Sequence, residues 1–336
     1  MLVMMKSVGK APGKIIVSGE HAVVYQCPAI VMSTNHYAIC RITQTPSKQI
    51  RFSFPQLKRQ KELTMGFFEK FPSLMKREYR RFTDGKIPIT NVLPDSFDLI
   101  PFAAALTAPD ADKLQGVELT IESNIPLGCG MGSSAAISLA VIRAIRDHLG
   151  LTLSQDDEFE LALDCEKLQH GHPSGVDPYV CQHGGCHFIH KDRKESMEKI
   201  PFPFTIINSG KPDSSTGECV EAVRKSIGQD SSLWQEFENV TYSIRNAIMT
   251  NDRDELKIGF IKNQKLLKQI GVVPEKVQAF IDKLYDVDIV AKTSGAGSVT
   301  GDNGGCIICL DDHNIPPELL KEFAYESLTE NGSTND

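Results

Sequence analysis

"VELTIESNIPLGCGMGSSAAISLAVIRAIRDHLG", residues 117–150, carries the decisive pattern of this chain. Val117, Leu119 and Ile121 alternate with polar residues and read as a half-buried strand. Pro126 ends the extended segment, and an Ala- and Ile-rich helix begins at Ser133-Ser134. Between them Gly128, Gly130 and Gly132 alternate. Three glycines so close together free the backbone to take positive φ and to turn its N–H groups outward. With the orphan donors and positive dipole end of the following helix, they make a phosphate cradle. A hydroxyl at the helix start can cap the helix or ligate the Mg²⁺ that accompanies a nucleotide. No Gly-Lys-Ser/Thr closes the turn, so it is not a Walker loop. The Gly-x-Gly-x-Gly spacing, with no acidic residue ending a second strand about 20 residues on, excludes the dinucleotide fingerprint. A bare strand-to-helix turn is the competing reading, but two serines and three glycines exceed what it requires.

The next helix starts at Ser154, with Asp157 as its capping-box partner. Phe159, Ala162 and Leu163 form an apolar stripe, and Glu166 continues it at i+7. A carboxylate on a buried face must be paired or bind a cation, because isolated buried charge is very costly; the alternative is a helix end where it reaches solvent. In "HGHPSGVDPYV", 170–180, Pro173 and Gly175 force a turn, and Asp177 is expected at the head of a strand, as a turn cap or a positioned base. Near the N-terminus, "GKAPGKIIVSGEHAVVYQCPAI", 9–30, sets Lys14, Glu20 and His21 around a short apolar run. Such charged groups either lie on the surface at strand ends or converge on something.

The chain has 336 residues, enough for two domains with a sizeable core. A net charge of −7 argues against general affinity for nucleic acid or anionic membrane. The local basic stretch Lys58-Arg59-Gln60-Lys61, with Lys76-Arg77 and Arg80-Arg81, reads as a solvated helix face. No signal peptide or transmembrane span is expected, since Lys6 ends the opening apolar run and Arg143 breaks the most apolar stretch. Nine scattered cysteines suit a reduced, cytoplasmic protein. Two cysteine-rich stretches have bland readings. "CQHGGCHFIH", 181–190, looks like a hairpin around Gly184-Gly185 rather than a zinc site. "CIIC", 306–309, lies in an apolar strand with no helix N-terminus to activate a thiolate.

Strand-like runs are expected at 13–18, 22–25, 37–43, 116–122, 185–190 and 204–208, and helices at 66–82, 133–149 and 154–169. From 216 helical periodicity dominates 216–227, 231–249, 253–270 and 274–284. Strands at 288–292 and 304–310 and a helix near 316–328 follow. The chain is α+β, β-rich first and helix-rich second. The polar stretch 191–196 is the best boundary candidate, giving domains at 1–195 and 196–330 and a disordered tail at 331–336.

Together these stretches resemble the GHMP kinases, and among them the members that phosphorylate mevalonate. "APGKIIVSGEHAVVY" (11–25), "IPLGCGMGSSAA" (125–136) and "KTSGAGSVTGDNGGC" (292–306) are similar to the three family motifs. "EKLQHGHPSGVD" (166–177) is similar to the segment carrying the catalytic aspartate. The resemblance implies a two-domain α+β fold. Its N-terminal domain would bind the nucleotide and hold the catalytic groups, with a left-handed βαβ unit against the right-handed norm; its C-terminal domain would be ferredoxin-like. It implies ATP as co-substrate, held by Gly128, Gly130, Gly132, Ser133 and Ser134, and Mg²⁺ on Ser134 and Glu166. Asp177 would be the base, and Lys14 would sit beside the reacting hydroxyl and pair with Asp177. Glu20, His21, Ser174 and Thr216 would hold the acceptor. Ala22-Val23-Val24 would give an apolar wall suited to a branched short-chain acid, where galactokinase-like members carry Asp-Tyr. The third motif departs from the usual Gly-Ala-Gly-Gly-Gly-Gly run: it is longer and carries Asp302. Alternatives are a kinase for homoserine or another small alcohol, or a silent ATP and metabolite sensor. The assembly, with a homodimer as one option, is not written in these motifs.

Overall fold

The computed structural model describes residues 7–191, 193–229, 231–310, 315–321 and 327–330. Strands β1 (Ser7–Ser18), β2 (Ala29–Gln44), β3 (Ile50–Phe54) and β4 (Arg59–Leu63) precede helices α1 (Met65–Thr83) and α2 (Leu99–Thr107). Strand β5 (Val117–Ser123) leads into α3 (Ser133–Leu149), α4 (Gln155–His170) and α5 (Val176–His183). Then come β6 (Cys186–His190), β7 (Arg193–Met197) and β8 (Phe204–Asn208). Helices α6 (Thr216–Ile227), α7 (Leu233–Met249), α8 (Arg253–Gln269) and α9 (Glu275–Asp286) follow. Strands β9 (Val290–Ser294) and β10 (Cys306–Leu310), the single turn α10 (Pro317–Leu320) and β11 (Ser327–Glu330) close the described chain. It is a two-domain α+β fold. The contacts form two units: Met1–Gly13, Asn35–Ile125 and Gly132–His183 in one, Lys14–Thr34, Pro126–Met131 and Gly184–Asp336 in the other.

In the first unit β5 is flanked by two strands. The C-terminal half of β2 pairs with it antiparallel, Ala38 opposite Ser123 through Gln44 opposite Val117. On its other side β3 runs parallel, Arg51 opposite Glu118, and α1 and α2 lie in the connection between the two. Val117, Leu119 and Ile121 are fully buried, as their alternation requires. Phe52 of β3 meets Phe68 of α1 with ring centroids 6.0 Å apart. Helix α3 is buried over most of its length and packs on α2, α4 and α5. The α4 capping box forms as expected between Ser154 and Asp157.

In the second unit the N-terminal half of β2 pairs antiparallel with β6, and β7 pairs antiparallel with β6. A separate antiparallel sheet has the order β11-β8-β10-β9. Val277, Phe280, Ile281 and Leu284 of α9 pack with Ile207, Ala291, Ile307 and Cys309 from this sheet. At the edge strand β9 the Thr293 N–H donates to Gln264 Oε1 of α8 at 2.8 Å, so a side chain closes an open backbone donor. Cys306 and Cys309 are buried in β10, with burial pushing the Cys306 thiol up.

The structure corrects four local expectations. Residues 22–25 form a 3-10 turn rather than a strand, with Ala22 buried and Val24 54% exposed, so Val24 does not line a buried wall. Lys58–Lys61 is not a helix face. Arg59–Leu63 is a strand whose Arg59 pairs with Asp95 at 2.6 Å and whose Lys61 pairs with Asp98. Gly184-Gly185 joins a helix to a strand rather than two strands. Near 316–328 there is one helical turn and then β11, paired with β8. The tail at 331–336 lies outside the described residues.

Candidate active site

The glycine turn has the backbone that its composition demands. Gly128, Gly130 and Gly132 sit at φ of 71°, 80° and 67°, a region that side chains rarely adopt. Its residues 126–131 pack within the second unit, while Gly132 and α3 belong to the first. In the second unit the turn is fastened to β1: Lys14 N–H donates to Met131 O at 2.9 Å, and Lys14 Nζ donates to Gly130 O at 3.1 Å. Lys14 is 3% exposed, so its ammonium is held at the turn rather than waving in solvent. The aliphatic chain of Lys211 lies against Gly128, where an added Cβ would meet its Cγ at 3.3 Å.

In the first unit Gly132 supplies the left-handed residue before α3. Ser133 and Ser134 stand half-buried in the first turn of that helix. Ser134 Oγ donates to Glu166 Oε1 at 2.5 Å. Glu166 is buried on α4, and its Oε2 lies 3.5 Å from His170 Nε2. The carboxylate is therefore on the buried face, as the stripe implied, and shares an oxygen-rich corner with a hydroxyl. On the same helix Glu158 is buried between Arg143, 3.2 Å away, and Arg146. Arg143 goes on to donate to Lys10 O at 2.7 Å and Gln182 O at 3.0 Å. That clamp fixes α4 against α3.

Asp177 is half-buried in the first turn of α5, which corrects the expected strand. Val-Asp-Pro-Tyr-Val looks extended by composition, yet proline is tolerated in a first helical turn, and an acid there meets the positive dipole end. Ser174 Oγ accepts from Val176 N–H at 3.4 Å, a local turn contact at an exposed position. Gly175, at φ 76°, passes so close to Phe159 that a Cβ would lie 3.3 Å from the ring. Upstream, Tyr79 of α1 donates its hydroxyl to Gly171 O at 2.8 Å. Helix α1 thus buttresses the turn that carries Asp177.

The remaining acceptor candidates are in the second unit. Glu20 Oε1 takes an ion-pair hydrogen bond from Lys292, both side chains being fully buried. Burial pushes the Glu20 carboxyl up and the Lys292 ammonium down, and their mutual contact opposes both shifts. His21 has φ 58° and donates from Nε2 to Ala296 O at 2.9 Å, since a carbonyl can only accept. Burial lowers its pKa, so the ring is neutral near pH 7. Thr216 is exposed at the start of α6, behind a capping box of Ser215 and Glu218. The long third-motif loop docks on the turn before it. Ser214 N–H donates to Ser298 Oγ at 3.1 Å, and Ser214 Oγ lies 2.8 Å from Thr300 Oγ1.

Sequence reasoning missed Lys292, Ser294 and Glu158. A lysine inside "VDIVAKTSG" was the available signal, because a charge in a buried strand needs a partner.

Known proteins align with these features. The family model for the GHMP kinases N terminal domain matches residues 99–185. A mevalonate kinase of Pyrococcus furiosus is 30% identical over 317 residues, covering 91% of this chain and 89% of the relative. That of Thermococcus sibiricus is 29% identical, covering 95% and 92%. The crystal structure of the Methanococcus jannaschii mevalonate kinase shares the fold, with a TM-score of 0.78, 24% identity, and 98% of each chain covered. With a family motif region at its centre and mevalonate kinases matching nearly its whole length, the chain belongs to the GHMP kinase family, in the group of the mevalonate kinases.

Proposed function

We propose that this chain transfers the γ-phosphoryl group of ATP to the primary hydroxyl of mevalonate. The observation that carries the kinase chemistry is the Ser134–Glu166 corner at the start of the helix behind the glycine turn. Mevalonate as acceptor is supported by the relatives named mevalonate kinase over about nine-tenths of the chain. Phosphoryl transfer needs positioning and charge neutralisation more than covalent help, and the residues divide along those lines. Backbone N–H groups of the Gly128–Ser134 turn hold the phosphates. Asp177 receives or orients the hydroxyl proton, and Lys14 stabilises negative charge as it develops. Glu20, His21, Ser174 and Thr216 bear on the acceptor.

The donors at Ser134 and Glu166 suit Mg²⁺, a hard cation that takes one or two carboxylates and completes its shell with phosphate oxygens and water. Ser134 and Glu166 would be its protein ligands, and when bound it would neutralise charge on the phosphates. The nine cysteines, all buried and free of disulfides, fit the reducing cytoplasm. No helix among the described residues is long and apolar enough to cross a membrane.

A coupled assay of ATP turnover against mevalonate, homoserine and galactose tests the acceptor. Mevalonate should give the highest kcat/KM. A higher value for either competitor overturns mevalonate while leaving the kinase chemistry standing; no turnover with any of them favours a sensor.

A further inference from the structure

Three contacts register the first motif against the third, all within the second unit. Ser294 Oγ accepts from Ile16 N–H at 3.0 Å and donates to Ile16 O at 2.9 Å. Lys292 pairs with Glu20, 272 residues away in the chain, with both side chains fully buried. His21 donates to Ala296 O at 2.9 Å. The Lys292 ammonium also lies 5.8 Å from the Phe260 ring centroid, on the α8 side.

A fully buried ion pair is a poor way to gain stability, because desolvating both charges offsets most of their attraction. Its geometry is what it fixes. The residue it holds in place precedes His21, whose φ of 58° is strained for a side-chain-bearing residue and persists only where its surroundings over-determine it. Glu20 Oε2 has no hydrogen-bond partner among the described residues, so Lys292 supplies the side-chain anchor of this carboxylate through Oε1.

We propose that Lys292 is a positioning residue for the acceptor: by clamping Glu20 it holds the strained His21 ring on Ala296, with Nε2 protonated and Nδ1 left as an acceptor for a substrate hydroxyl. This rests on reading His21 as acceptor-binding. Lys292 does not itself touch the substrate.

The test uses the full-length enzyme in three forms: wild type, Lys292→Met, and the double variant Glu20→Gln/Lys292→Met. Circular dichroism establishes folding, ¹H–¹⁵N NMR reads the His21 tautomer without substrate, and kinetics vary mevalonate and ATP separately. In wild type His21 carries its proton on Nε2. Loss of a charged hydrogen-bonding partner corresponds to about 10-fold or more in affinity. Lys292→Met therefore raises the mevalonate KM by that factor, leaves the ATP KM within about 2-fold, and gives a mixed His21 tautomer. The double variant removes the buried charges and folds, yet keeps the mixed tautomer; its KM is not the deciding reading, because Glu20→Gln alone raises it. If Lys292→Met does not fold, the tautomer of the double variant decides. A double variant with the wild-type tautomer overturns the proposal, as do a Lys292→Met enzyme with wild-type mevalonate KM and a wild-type His21 protonated on Nδ1. Should wild type fail to phosphorylate mevalonate, the acceptor reading falls, and the substrate-free tautomer still judges the clamp.

Discussion

Glu166 in the first unit and Glu20 in the second are both buried carboxylates, and their surroundings assign them opposite work. Glu20 is neutralised by an ammonium as buried as itself. Wherever the shared proton sits, that pair carries no net charge. Glu166 meets a serine hydroxyl and the imidazole of a half-exposed histidine. A hydroxyl donor orients a carboxylate without cancelling its charge. Two acids of similar burial thus differ in their neighbours: in the reading proposed above, the one held by a lysine fixes backbone geometry and the one met by a serine hydroxyl holds a metal.

The largest expected effect lies at Asp177, in the same unit as Glu166. Asp177→Ala should lower kcat by roughly 10²–10⁴, the usual worth of a positioned base, with mevalonate and ATP KM little changed in steady-state assays. Near-normal kcat would reduce Asp177 to an acid favouring the start of α5. The two glutamates themselves come next. Glu166→Gln should raise the Mg²⁺ concentration for half-maximal activity by about 10-fold or more, whereas Glu20→Gln should leave it unchanged and raise the mevalonate KM. An Mg²⁺ titration that moves equally for both would erase the difference between the two acids.

A third buried acid, Glu158, extends the comparison to stability. Its partners Arg143 and Arg146 are partly exposed, with side chains 20% and 31% accessible, so they can be resolvated when it is lost. Glu158→Gln should cost about 1–3 kcal/mol in urea unfolding, with kcat per folded molecule retained.

The smallest effect concerns His21. Burial depresses its pKa below the usual 6.5, so the unfolded state binds a proton more readily. Its contribution is present above pH 6.5 and is lost as pH falls through the depressed folded-state value. Thermal melts should show a decline below that pH that is shallower in His21→Gln. Equal slopes would remove His21 from the acid response.

Sequence patterns revealed the helices at 133–149 and 216–227, which have clear boundary residues, and the strand at 204–208, a short apolar run rich in β-branched residues. The strand at 50–54 also had its signal, Ile50, Phe52 and Phe54 alternating, but it sat in a segment with no recognisable motif. Arg59–Leu63 offered none, since an edge strand rich in charge reads equally well as the solvated helix face expected there. For the site, the burial of Glu166 followed from a helical stripe, a local property. The partner of Glu20 did not, because 272 residues separate it from Lys292 and only the folded sheet brings them together.

The chain passes between its two units after Gly13, Thr34, Ile125, Met131 and His183. For a polypeptide leaving the ribosome this ordering is consequential. The segment 14–34 is made early, but apart from residues 126–131 the rest of its unit begins only at Gly184 and includes strands as late as β10. Ile15, Val17, Ile30 and Val31, all fully buried in the finished protein, must wait until the residues from Gly184 onward are made before most of their unit exists. A nascent chain stalled after His183 would expose them as sticky surface, a natural substrate for chaperones, and no single cut would release either unit as an independent fragment.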